Sequence, residues 1–221
     1  MERRRVAVFG GAFDPITMGH LSVMSSILQA RAADEVWVMP CGERPDKPSV
    51  VLCPWQRWLL CHLAVDSMFG RRSRVYVRDD DIRTGEPSMG TLELMRRLRR
   101  EDVDLAFVIG EDLVASLPSW ANASQLLAEC RFLVHARPGI AQTGDLPACC
   151  ERLEPPFPGA ILPTVEISST EVRSRVARAA DRGELEMLLE GLVPPAVLTH
   201  ILRYRLYREE KDATEHQNFV G

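Results

Sequence analysis

Between Val8 and Leu21 the chain reads VFGGAFDPITMGHL, which brings two glycines, an aspartate, a proline, a threonine and a histidine into one turn. Gly10 and Gly11 have no side chain to hold a ligand away from the backbone, and they permit a sharp turn. Gly19 and His20 stand at the start of the helix that follows. There, N–H groups without intrahelical acceptors and the positive end of the helix dipole favour a phosphate. Thr17 can offer a hydroxyl and His20 a ring N–H to the same anion. The spacing is neither the GxGxxG of a dinucleotide-binding turn nor the GxxxxGK[ST] of a P-loop. A glycine-rich turn with a capped helix would account for the two glycines but not for the whole string.

A second constellation is ISSTEVRSR, Ile167 to Arg175. Ser168 with Glu171 three residues on forms a capping box, and Val172 and Val176 give a core-facing stripe. A cap leaves Arg173 unexplained. The hydroxyls of Ser168, Ser169 and Thr170, the helix N–H groups and a guanidinium together suit a polyphosphate.

These residues need a scaffold, and the pattern along the chain supplies one. RRVAVFG (4–10) is a continuous apolar run of the kind buried on both faces of a sheet, DEVWVMP (34–40) is a second buried strand, and SRVYVRD (73–79), VDLAFVIG (103–110) and RFLVHARPG (131–139) read as three more strands. Helical spacing fills the intervals at 19–32, 55–68 and 88–101. Residues 140–160 are rich in Pro and Gly and read as a long irregular connection, with a sixth strand at 160–167. Helices are expected at 169–183, 184–191 and 194–208, then a polar tail. Alternating strands and helices predict an α/β fold, a Rossmann-like, doubly wound parallel sheet with a helical C-terminal part, in one domain over 1–207 with a frayed tail at 208–221. Ligands of such sheets bind at the carboxyl ends of the strands, where the strand order reverses.

The chain has 221 residues, 46% of them hydrophobic, and a net charge of −4. That is enough for a sizeable core and gives no global basic field for nucleic acid or an anionic membrane. The N-terminus reads as the start of the first strand, not as a secretory leader. Six cysteines without a CxxC pair point to reduced thiols, in a cytoplasm or a nucleus, and to no zinc site. His62 and His135 read as structural, His200 and His216 as surface residues, and RRLRRE as a solvated helix face. The four Trp are too scattered for a nucleic-acid stacking platform. A homo-oligomer is compatible with all of this.

The string GGAFDPITMGH resembles the signature turn of the nucleotidyltransferase superfamily, in its Thr-x-Gly-His form, and ISSTEVR resembles that superfamily's ISSTxxR motif. FVIGEDLVASLPSW, VHARPG and LVPPAVLTHILRYRLY are similar to further segments of one branch, the nicotinamide/nicotinate mononucleotide adenylyltransferases. The resemblance runs from Val6 to about Tyr207. It implies a nucleoside triphosphate held by Gly10, Gly11, Ala12, Phe13, Gly19 and His20, by Gly110 and Asp112, and by Ser168, Ser169, Thr170 and Arg173. His20, Thr17 and Arg173 would be catalytic. Lys47 falls where the family has a lysine in the loop after the second strand, for the mononucleotide phosphate. Arg57, Ser88, Thr91, Trp120 and Arg137 are the other candidate mononucleotide contacts. The family often places an aromatic ring before the Thr-Leu helix start to meet the pyridine, whereas this chain has Pro87, Ser88 and Met89 there. The implied reaction joins ATP, accompanied by Mg²⁺, to either mononucleotide. A pantetheine-phosphate adenylyltransferase shares the Thr-x-Gly-His turn, but ISSTEVR and the GED…LPSW segment argue for the pyridine branch. A non-catalytic nucleotide sensor would have no need to keep His20.

Overall fold

The computed structural model describes residues 3–70, 72–83, 85, 87–136 and 144–208. Six strands form one sheet: β1 (Arg4–Gly11), β2 (Glu35–Pro40), β3 (Val75–Val77), β4 (Val103–Gly110), β5 (Arg131–His135) and β6 (Cys150–Arg152). Their order is β3-β2-β1-β4-β5-β6, and every pair is parallel. The order reverses between β1 and β4, which puts the ligand crevice beyond Gly11 and Gly110.

The central strands are apolar along most of their length because both of their faces are covered. Ala7, Val36, Val38, Ala106, Val108 and Leu133 face one core, with α1 (Met18–Gln29), α2 (Pro54–Met68) and three C-terminal helices. Those are α6 (Ser169–Arg178), α7 (Arg182–Leu189) and α8 (Pro195–Tyr204). Their alternating neighbours Val6, Val8, Trp37, Met39, Phe107 and Ile109 face the other core, under α3 (Thr91–Leu98), α4 (Glu111–Val114) and α5 (Ala123–Glu129). The period-2 alternation of a strand thus feeds two cores at once. Among the described residues no helix is long and apolar enough to cross a membrane.

The sixth strand corrects the expectation from sequence. It is Cys150–Arg152, inside the segment read as irregular, and it pairs with the outer side of β5. Residues 160–167 lie instead along α1, tied by side chains: Ser26 Oγ donates to the Pro163 carbonyl (2.7 Å) and Thr17 Oγ1 to that of Ile167 (3.2 Å). The expected helix 169–183 breaks after Arg178, because the Asp181 carboxylate accepts from Glu184 N–H (2.8 Å) and starts α7 as a new helix. α4, α5 and the 3₁₀ turn Leu117–Ser119 between them are additional to the expected elements. Arg137, the remainder of its Arg-Pro-Gly segment and the tail beyond Arg208 lie outside the described residues.

Candidate active site

A cleft of about 600 Å³ opens at the reversal point. Of the residues expected to hold the triphosphate, Gly10, Gly11, Ala12, Phe13, Gly19, His20, Gly110, Ser168, Ser169, Thr170 and Arg173 line it, as does Lys47 from the loop after β2. Two strings almost 150 residues apart in sequence therefore form one surface.

The turn after β1 orients His20. Thr17 caps α1, and its backbone N–H donates to His20 Nδ1 at 3.0 Å. A backbone N–H can only donate, so Nδ1 carries a lone pair and the ring proton sits on Nε2. The imidazole stands edge-on to Phe13, with ring centroids 5.0 Å apart. Phe13 holds a left-handed φ of 50°, an uncommon conformation for so bulky a residue.

Thr17 departs from its expected role. It is fully buried, and its hydroxyl lies 2.9 Å from His20 Nδ1 and 3.2 Å from the Ile167 carbonyl, with no access to a phosphate. It positions His20 and does not touch the ligand.

The start of α6 is fastened to the same turn. Arg173 donates to the Asp14 carbonyl (2.6 Å) and to Thr170 Oγ1 (3.3 Å), and Ser169 Oγ donates to the Pro15 carbonyl (2.8 Å). Ser168 caps α6 by accepting from Glu171 N–H (3.1 Å), but Glu171 turns its carboxylate to Arg175 (2.7 Å), so only half of the expected capping box forms. The Ser169 and Thr170 N–H groups, in the first turn, have no intrahelical acceptor and suit an anion.

Gly19 permits this fastening. A Cβ there would stand 2.9 Å from the carbonyl oxygens of Val165 and Ile167, backbone atoms that cannot rotate aside. Gly19→Ala is expected to cost about 1–3 kcal/mol of stability by overpacking. It should also lower turnover, because the displaced segment carries the Thr17 contact and leads into α6. Urea denaturation and steady-state assays on the same preparation check both parts.

Arg57 is a correction. It is 0% exposed, and each of its guanidinium N–H groups meets a protein acceptor. Nε donates to the Leu52 carbonyl (3.0 Å), Nη1 to the Ala12 carbonyl (2.6 Å) and Cys41 Sγ (3.5 Å), and Nη2 to the Cys41 (2.6 Å) and Gly42 (2.9 Å) carbonyls. Arg57 therefore clasps the phosphate turn to the loop after β2 and cannot reach a mononucleotide.

The other candidates do not line this cleft. Asp112 is exposed in the first turn of α4, where Gly110 and Leu113 supply the wall instead. Ser88 Oγ donates to buried Asp81 (2.6 Å), which also accepts from Met89 N–H (2.9 Å) and Gly42 N–H (2.9 Å). Thr91 begins α3. Trp120 is half-buried, its indole N–H on Ser116 Oγ (3.2 Å) and its ring edge-on to Phe132 (6.5 Å).

Further polar residues line the cleft beyond the sequence expectation, among them Ser49, Glu166 and His135. His135 ends β5 in register with Gly110, so the carboxyl-end rule alone pointed to it. Ser49 and Glu166 carried no signal beyond their neighbours Lys47 and Ile167.

Residues 8–175 match the family described as Cytidylyltransferase-like. A Yersinia enterocolitica protein named "Probable nicotinate-nucleotide adenylyltransferase" is 34% identical over 224 residues, covering 93% of this chain and 96% of its own. One of the same name from Gemmatimonas aurantiaca is 32% identical over 209 residues, covering 93% of each. The fold is similar to that of the Plasmodium falciparum nicotinic acid mononucleotide adenylyltransferase solved with NaAD, with a TM-score of 0.73 at 21% identity over 93% of this chain and 98% of that one. Both motifs, the cleft they share and relatives aligned along almost their whole length place this chain in the cytidylyltransferase-like family, among the nicotinate-nucleotide adenylyltransferases.

Proposed function

We propose that the chain transfers the adenylyl group of ATP to nicotinate mononucleotide, giving the nicotinate adenine dinucleotide and pyrophosphate. The observation that carries this reading is the fastening of the α6 start to the histidine turn, through Arg173 on Asp14 O (2.6 Å) and Ser169 on Pro15 O (2.8 Å). One polyphosphate can then meet His20, the α6 N–H groups and the free side of the Arg173 guanidinium together.

A 5′-phosphate oxygen of the mononucleotide attacks the α-phosphorus of ATP. The new P–O bond forms as the bond to the bridging oxygen breaks, and pyrophosphate leaves with that electron pair. The attacking oxygen is already anionic, so no general base is required. The work left to the protein is to align two anions in line and to meet the charge on the α-phosphoryl oxygens. His20 Nε2–H donates to one of those oxygens. Arg173 and the α6 N–H groups hold the leaving pyrophosphate, and Lys47 draws in the mononucleotide phosphate. Among the described residues no group of three His, Cys, Asp or Glu gathers for a metal. Mg²⁺ is assigned to the ATP it arrives with, where it would neutralise the polyphosphate.

A chain of bonds leads from the phosphate turn toward the α3 start: Ala12 O to Arg57, Arg57 to Gly42, Gly42 N–H to Asp81, and Asp81 to Ser88 and Met89. Met89 and Trp120 lie outside the triphosphate cleft, partly buried against one core, and are the apolar groups assigned to the pyridine ring in the adjoining mononucleotide region. The test is to supply ATP, Mg²⁺ and each mononucleotide separately and to follow dinucleotide and pyrophosphate by chromatography. Dinucleotide is expected from both, faster from the nicotinate form. No product from either would reject the reading.

A further inference from the structure

We propose that Tyr207, near the end of the described chain, is a positioning residue for ATP, acting through the buried carboxylate of Asp14; this rests on the adenylyl-transfer reading above. Asp14 is only 1% exposed although it sits in the turn that lines the cleft. Its carboxylate is met by three donors. Oδ2 accepts from Val51 N–H at 2.6 Å, while Oδ1 accepts from Leu52 N–H at 3.4 Å and from the Tyr207 hydroxyl at 2.8 Å. Its backbone carbonyl accepts from Arg173. One residue therefore joins the histidine turn, the loop that carries Lys47, the arginine of α6 and the turn after α8.

Within that junction Tyr207 is the strong partner of Oδ1, since the Leu52 contact is long. Hydrogen bonds to a charged group are the strong kind, and burial raises the cost of leaving the oxygen unmet. Burial first, and then the Asp14 charge, push the phenol well above its ordinary range, so the hydroxyl keeps its proton and donates. The backbone is bent to deliver it. Arg205, which ends α8, has φ of 51° and Tyr207 has φ of 65°, both left-handed and neither glycine. A bulky residue held there needs surroundings that over-determine it, and such residues cluster at functional sites. Tyr207 also packs on the core beneath α1 and α2, so the phenol is aimed from a fixed base.

The test is Tyr207→Phe, which keeps the ring and removes only the hydroxyl. Its kcat/KM for ATP is expected to fall about tenfold, with a similar loss of affinity for a non-hydrolysable ATP analogue measured by calorimetry. Tyr204→Phe, on the exposed end of α8, should leave both unchanged. In an Asp14→Ala background, Tyr207→Phe should matter less than about twofold, because the group it acts through is gone. Asp14→Ala also reaches the contact from the other side, should Tyr207→Phe fail to fold. Unchanged ATP parameters in Tyr207→Phe, a lowered melting point with wild-type kinetics, or losses that multiply in the double variant would each overturn the proposal. If the wild type makes no dinucleotide, the adenylyl-transfer reading fails, and the calorimetric arm still decides whether Tyr207 serves ATP.

Discussion

Replacing His20 by alanine is expected to lower turnover by about 10²–10³-fold, the usual consequence of removing one preorganised donor from a developing oxyanion. The expectation follows from the orientation of the ring. Thr17 N–H donates to Nδ1 at 3.0 Å, and Phe13 stands against the imidazole, so Nε2–H is aimed before substrate arrives. His20 has a second task that alanine would also abolish. It is the third residue of α1, and its ring accepts the N–H of the helix cap. Losing a cap costs about 0.5–2 kcal/mol, so His20→Ala would be somewhat less stable as well as slow. His20→Gln separates the two effects. Glutamine at this position is an ordinary capping-box partner and can accept from Thr17 N–H, but it has no ring nitrogen to present to the phosphate. His20→Gln should therefore recover stability in urea denaturation and leave turnover low at saturating substrates. Recovery of turnover as well would place the importance of His20 in the cap and sink its role in catalysis.

The scaffold was legible because it rests on local pattern. Strands such as Val6–Phe9 and Leu105–Ile109 are apolar at every step, which only a sheet covered on both faces explains. The phosphate-facing glycines and the ISSTEVR start were legible for the same reason: backbone approach and helix termini leave compact signatures. What stayed hidden depends on distant partners. Asp14 reads as part of the ligand turn, yet its carboxylate is committed to Val51, 37 residues away, and Tyr207, 193 residues away. Thr17 reads as a phosphate donor until Ile167 and His20 are seen around it. β6 has three residues on a sheet edge amid Pro and Gly, too few to show a period, whereas the more apolar 160–167 segment is bound to a helix by side chains. A sequence gives residue type and spacing; it does not say which of two polar groups a third will find.

Arg57 is the sharpest case, and its replacement is the second large effect. An arginine in a nucleotide-binding fold invites assignment to a phosphate, and type alone cannot tell a ligand contact from an internal clasp. Arg57→Met keeps an unbranched apolar stem but strands the carbonyls of Leu52, Ala12, Cys41 and Gly42. The expected loss is about 3–5 kcal/mol, the range for breaking a buried charged network by removing one partner. Against a typical total of about 5–15 kcal/mol that leaves a marginal protein. Arg57→Lys keeps the charge but not the planar fork that spans four carbonyls, so it should recover only part of the loss. Catalysis should suffer on both substrates. Ala12 O belongs to the triphosphate turn, while Gly42, held by Arg57 through its carbonyl and by Asp81 through its N–H, braces the start of α3. The folded fraction of Arg57→Met, stabilised with excess ATP so that kinetics can be read, should show raised KM for ATP and for the mononucleotide alike. A direct phosphate contact would behave differently: the denaturation midpoint would hold and KM would rise for the mononucleotide alone. That pattern would return Arg57 to the substrate, and the combined loss of stability and of both affinities keeps it in the clasp.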